Sequence, residues 1–226
     1  MTKISVSESL ARRQSIREYI QQDVQPELVM DILETAGKSP SGGNLQPWRV
    51  HALSGEVKNT LFQKTIAQAM NNPTGVDPDI PIYPSGLAEP WRSRRADCGE
   101  AMYRALEIKR DNKMGRMQQG ARNLSFFDAP VGLIFTLDRS FCESQMIDLG
   151  LYVQSVMLVA DEKGLATCPQ ASWSMWAGIV RDVLGLASNE MVMLGMALGY
   201  ADPDAPVNQL NQPRVDVTEF IQLHGF

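Results

Sequence analysis

Pro40-Ser41-Gly42-Gly43-Asn44-Leu45-Gln46-Pro47-Trp48 breaks every regular pattern around it. Its glycines free the backbone to approach a ligand closely. Ser41, Asn44 and Gln46 carry donors and acceptors suited to the polar edge of a flat heterocycle. An ordinary helix-to-strand connection uses the same turn residues, so the flanks must decide. Upstream, Pro26 opens a helix with Leu28, Ile32, Leu33 and Ala36 on one face and Gly37 near its end. Downstream, WRVHAL reads as a strand, and Val57 to Met70 returns to helical spacing.

Nearer the N-terminus, Ser5 to Gln14 suits a short helix, and R-Q-S-I-R follows. In an extended segment Arg13, Ser15 and Arg17 point to one side. Two guanidinium groups and a hydroxyl match the charge and geometry of a terminal phosphate. A solvated basic helix end would look the same.

Five prolines, Pro73, Pro78, Pro81, Pro84 and Pro90, make Asn71–Pro90 a long loop. Arg92 to Gln119 reads as one long charged helix with a break near Gly115. VGLIFTL and MVMLGMAL are apolar runs of strand length. LGLYVQSVMLVADEKG is apolar nearly all round until Gly164, the pattern of a helix covered on most sides. Another amphipathic helix lies around Met175–Leu184, and a polar, proline-punctuated tail runs over residues 202–226. No repeat or composition shift marks a boundary, so the 226 residues form one domain.

Composition excludes several classes. At 44% hydrophobic and 21% charged the chain is ordinary globular protein, without the uninterrupted apolar run a membrane span needs. MTKISVSESLARRQSIREY has no apolar leader core, so the expected location is the cytoplasm. Cys98, Cys142 and Cys168 are scattered and odd in number, fitting neither a disulfide framework nor a metal cluster, and read as small buried side chains. With two histidines, His51 and His224, nucleophile–histidine pairs and histidine metal sites have little to draw on. A net charge of −5 without a basic run argues against nucleic acid. No Rossmann fingerprint or P-loop occurs, so a nicotinamide would visit rather than reside.

R-x-S-x-R followed by P-S-x-x-N-x-Q-P-W resembles the nitroreductase superfamily. Phe127-Asp128-Ala129-Pro130, Asp148-Leu149-Gly150, Gly164-Leu165-x-x-Cys168-Pro169 and Leu198-Gly199-Tyr200 repeat its later landmarks in order, so the likeness spans essentially the whole chain. The resemblance implies an α+β fold with a central mixed or antiparallel sheet flanked by helices, built as an intertwined homodimer. It implies FMN as cofactor, NAD(P)H as reductant, and ping-pong hydride transfer through flavin N5 to nitroaromatic compounds, dinitroanilines among them.

By the same resemblance Arg13, Ser15, Arg17 and Arg214 hold the phosphate and ribityl chain. Ser41, Gly42, Asn44 and Gln46 reach the flavin from the other subunit. Gln170, Ala171 and Ser172 lie beside N5, and Gly195 and Met196 pass near the phosphate end. No side chain is expected to shuttle protons. Trp91, Phe126, Phe127 and Trp173 are candidates to stack on flat substrates. The well-known oxygen-insensitive members carry an acidic residue near Ala171, so substrate orientation does not carry over. Residues 71–119 are expected to form a substrate lid, and residues 202–226 to wrap the partner. Other activities of the fold stay open, including flavin, quinone and enone reduction, dehalogenation and oxygen-dependent flavin fragmentation. A non-enzymatic flavin-binding module is the reading from another class.

Overall fold

The two apolar runs VGLIFTL and MVMLGMAL become the inner strands of an antiparallel sheet in the computed structural model, which describes residues 4–226. In chain order the elements are α1 (Val6–Arg12), α2 (Pro26–Ala36), β1 (Arg49–Leu53), α3 (Gly55–Ala69), α4 (Trp91–Ala105) and α5 (Lys113–Ala121). They continue with β2 (Val131–Asp138), α6 (Glu143–Glu162), β3 (Ala166–Gln170), α7 (Ala177–Leu184) and β4 (Glu190–Gly199). The sheet order is β1-β2-β4-β3, antiparallel at each step. One parallel bridge, Ser15 to Thr167, lays the N-terminal segment along β3. The architecture is the expected α+β.

Strand side chains alternate between faces, and two cores result. Leu133, Phe135, Leu137, Met191 and Met193 face α2 and α6, while Leu53, Ile134, Val192 and Ala197 face α3, α7 and the short 3-10 segments before β2 and after β3. Helix α6 buries Leu149, Tyr152, Val153, Val156, Met157 and Ala160 but leaves Ile147 and Leu151 in solvent. The chain alone has an accessible surface of 13508 Å². An ordinary monomer of its mass exposes about 10,300 Å².

Three expectations need correction. The segment from Arg92 to Gln119 is two helices, and the break falls at Leu106–Asn112, before Gly115. The Asn112 side chain accepts from the Gly115 amide at 2.9 Å and starts α5 afresh, placing Gly115 inside it. Strand β3 was hidden by Pro169, which the sheet tolerates because β3 pairs with β4 on one side and makes only the Thr167 bridge on the other. Finally, Cys168 is buried, but Cys98 and Cys142 are exposed.

Candidate functional site

After α1 the chain runs extended, pinned by Ile16 N donating to the Thr167 carbonyl (3.0 Å) and Ile20 N to the Tyr200 carbonyl (3.0 Å). Ile16 turns inward and is buried, so Arg13, Ser15 and Arg17 take the other side, as their alternate spacing requires. Together with Arg214, Gln212, Asn211 and Cys98 they line a cleft of about 690 Å³. Beneath them burial pushes the Cys168 thiol up to about 11, opposed by the Arg17 charge, a Ser15 hydrogen bond and the Arg13 charge. The Arg17 guanidinium lies 5.9 Å from the Phe127 ring centre, and Arg214 donates to the Gln212 carbonyl at 3.0 Å. Arg13, Arg17, Arg214 and the Ser15 hydroxyl around one cleft suit a phosphomonoester, while Arg12, on the same rim, is paired with Asp161.

Asn208 was not foreseen. Its side chain accepts from Arg17 N (2.9 Å) and donates to the Glu18 carbonyl (2.8 Å) and the Asp202 carbonyl (2.9 Å), fixing the backbone beneath the clamp. A lone Asn in a polar tail gives no sequence signal. The first part of that tail therefore packs on its own chain, with Val207 and Asn208 buried, and exposed apolar side chains begin at Val217.

At the end of β3, Gln170 is buried and its Nε2 donates to the Asn123 carbonyl at 2.8 Å, while Oε1 has no partner. Ser172 Oγ, Trp173 Nε1 and Gln119 Nε2 are also buried without partners. Buried polar atoms ordinarily find a hydrogen bond, so orphans at Gln170 and Ser172 mark a place where polar ligand atoms fit. Of the four aromatics expected to stack on substrate, only Trp91 is exposed, at 57%. Phe126, Phe127 and Trp173 are core residues, and Trp173 stacks on Phe126 with centroids 4.6 Å apart.

That aromatic pair occupies dents in the sheet left by Gly132 and Gly195, where an added Cβ would lie 2.7 Å from Phe126 and 2.1 Å from Trp173. Gly195 and Met196 are therefore buried in β4, with Trp173 packed on Gly195. Phe126, Phe127 and Asp128 all have left-handed backbones, with φ of 55°, 54° and 62°. Such conformations cost L-residues roughly 1–2 kcal/mol each. Burial of both rings and the Lys58 ammonium on the Ala129 carbonyl hold the turn in place.

The Ser41–Gln46 loop lies in solvent on the α6 side. Gly42 N donates to Asp148 Oδ1 on α6 (3.0 Å), Gln46 N donates to Ser41 Oγ (3.0 Å), and Trp48 stacks on Tyr152 at 4.8 Å. Asn44 and Gln46 hold positive φ of 57° and 48°. The residues thus form two groups, the clamp with the β3 end and this separate loop.

The expected lid divides. Residues 75–80 are anchored: Val76 N donates to the Met175 carbonyl (2.8 Å), Asp79 N to the Ser174 carbonyl (3.0 Å), and Asp79 accepts from Arg181 (2.7 Å), Arg139 and Val192 N (2.7 Å). From Pro81 to Gln118 no residue is buried, and α4 has no buried residue in its whole length. Helix α4 reaches the tail through Arg94 and Glu219 (2.6 Å) and shares with it a second cleft of about 690 Å³.

The fold is α+β with an antiparallel sheet and an arginine-lined cleft beside one edge strand, and the chain belongs to the nitroreductase family, whose sequence profile matches residues 10–200. It is similar to a 4-nitrobenzoate reductase of Pseudomonas putida, 36% identical, with 96% of this chain and 94% of that protein covered. A chloronitrobenzene nitroreductase of Comamonas testosteroni is also 36% identical, with 95% of each covered. Among solved structures, the FMN and NADPH-dependent nitroreductase NfnB from Sphigopyxis sp. strain HMH superposes with a TM-score of 0.96 at 43% identity, covering 99% of this chain and 100% of that one.

Proposed function

We propose that the chain is an FMN-dependent reductase of nitroaromatic compounds that draws its electrons from NAD(P)H and works in the cytoplasm as a homodimer. The observation that carries this reading is the single cleft lined by Arg13, Ser15, Arg17 and Arg214. The residues fit the cofactor: the clamp matches one terminal phosphate, and the orphaned Gln170 Oε1 and Ser172 Oγ match polar atoms of the ring system. Bound FMN supplies two-electron transfer from the nicotinamide to the acceptor.

This chain's residues bind and orient. Arg13, Arg17 and Arg214 hold the phosphate, with the Arg17 backbone fixed by Asn208. The backbone amides of Gln170, Ala171 and Ser172, with Gln170 Oε1 and Ser172 Oγ, present hydrogen bonds at the ring end. Ser41, Gly42, Asn44 and Gln46 serve the site of the second copy. Overall, NAD(P)H and a proton reduce a nitro group to a nitroso group with release of water, and a second round gives the hydroxylamine. The surplus accessible surface, the unburied helix α4 and the exposed Val217, Phe220, Ile221, Leu223 and Phe226 support the dimer. The three unpaired cysteines suit the cytoplasm.

The test is anaerobic stopped-flow on the purified yellow protein. Flavin should bleach with NADPH or NADH and regain colour on adding nitrobenzoate or chloronitrobenzene, with parallel double-reciprocal lines in the steady state. Colour restored by quinones or enones but by no nitro compound would overturn the substrate class. Replacing Arg17 and Arg214 together by Ala removes hydrogen bonds to a charged group, each worth roughly 1.5–3 kcal/mol, and should weaken FMN retention at least about tenfold.

A further inference from the structure

Arg122 and Asn123 touch both halves of the proposed FMN site while belonging to neither. Arg122 Nη1 donates to Glu18 Oε2 (2.6 Å) and Nη2 donates to Glu18 Oε1 (3.1 Å), a two-pronged contact with the residue that follows Arg17. Nη2 also donates to Asp128 Oδ2 at 3.1 Å, in the strained left-handed turn, and Gln21 Nε2 donates to the Asp128 carbonyl at 3.4 Å. The next residue, Asn123, accepts Gln170 Nε2 on its backbone carbonyl (2.8 Å) and on its side-chain Oδ1 (3.3 Å). One dipeptide therefore grips the phosphate strand on one side and the end of β3 on the other. Asn208 holds the Glu18 carbonyl from behind, so a shift of Glu18 moves the clamp backbone with it.

We infer that Arg122–Asn123 is a brace that sets the spacing between the phosphate clamp and the Gln170–Ser172 end of the flavin site, with Arg122 as a positioning residue. The inference rests on the FMN reading of the site. A planar guanidinium bound through two nitrogens fixes orientation as well as distance, which an ammonium on a flexible stem does not. Gln170 is held by its donor end, leaving the buried Oε1 acceptor free. A disturbance at Arg122 should reach both ends of the ligand, whereas a purely local surface ion pair would reach neither.

The experiment compares full-length wild type with R122M, R122K, E18Q and the double variant E18Q/R122M. Each apoprotein is titrated with FMN by fluorescence quenching, and its melting temperature is recorded. At saturating FMN the visible absorption band and the rate of bleaching by NADPH are then measured. R122M should raise the FMN Kd roughly tenfold, shift the bound-flavin band and slow bleaching. R122K should recover only part of this, and the double variant should be no worse than the weaker single one, because the two residues act as one unit. Should R122M fail to fold, E18Q carries the same test from the partly exposed side of the pair. An unchanged Kd and band in R122M and E18Q, additive losses in the double variant, or full rescue by R122K would overturn the brace. Wild-type protein that takes up no FMN would instead overturn the functional reading, and the brace with it.

Discussion

Gly195→Ala tests how closely the aromatic packing is tied to the site. The added Cβ would lie 2.1 Å from Trp173 Cδ1 and 2.8 Å from Cγ and Nε1. Carbon atoms in contact sit about 3.5–4.0 Å apart, so the indole must retreat by more than about 1 Å. It has nowhere to go, being fully buried and stacked on Phe126, which itself lies against Gly132. Overpacking of this kind costs about 1–3 kcal/mol, and the rigid neighbours place this case at the upper end. For a chain of this size that lowers the melting temperature by roughly 4–10 °C. Trp173 directly follows Ser172, so FMN retention should fall as well. Circular dichroism melts at fixed protein concentration, with and without added FMN, supply the measurement. In a Trp173→Leu background the same substitution should cost under about 1 kcal/mol. A melting point within about 1 °C of wild type, or an equal cost in both backgrounds, would refute the packing account.

Asp79→Asn strips the charge from a buried carboxylate that answers Arg181, Arg139 and Val192 N, and should cost about 3 kcal/mol or more in urea denaturation while opening residues 75–80 to thermolysin, which cuts before apolar residues such as Val76. For Glu190, burial raises the carboxyl pKa, but hydrogen bonds from Thr136 and His51 and the charges of His51 and Arg49 outweigh it, leaving the group below its ordinary value. A carboxylate depressed on folding stabilises the protein above the ordinary carboxylate range, and that stability is lost as pH falls through the folded value. Glu190→Gln should therefore be less stable than wild type near neutrality, with the difference shrinking in acid; a constant difference across the pH range would contradict this. Truncation after Val215 keeps Asn208 and Arg214 but removes the exposed apolar tail, and analytical ultracentrifugation should show the proposed homodimer weakened; association equal to that of the full chain would refute the tail's part in it.

Much of the fold was legible because single periodicities dominate its main elements. VGLIFTL and MVMLGMAL are buried on both faces, and α2 turns Val29, Ile32 and Ala36 to the core, with Met30 left in solvent. The common placement of Arg13, Ser15 and Arg17 along one cleft was legible because alternate spacing survives in an extended segment. Strand β3 was hidden by a proline that only its one-sided pairing permits. Which of the four aromatics pack in the core could not be told from sequence, because sequence alone cannot show that Gly132 and Gly195 leave hollows for the rings of Phe126 and Trp173. Arg122, Asn123 and Asn208 act through residues far along the chain, and no local pattern announces such contacts.

The segment from Pro81 to Gln118 behaves as a cassette. It contributes no buried residue, yet both ends are fastened, at Asp79 on one side and at the buried Gln119 and Leu124 on the other. Its length and composition can drift without touching either core. Natural variation in acceptor range, and any library meant to redirect this enzyme, should therefore concentrate between those two fasteners.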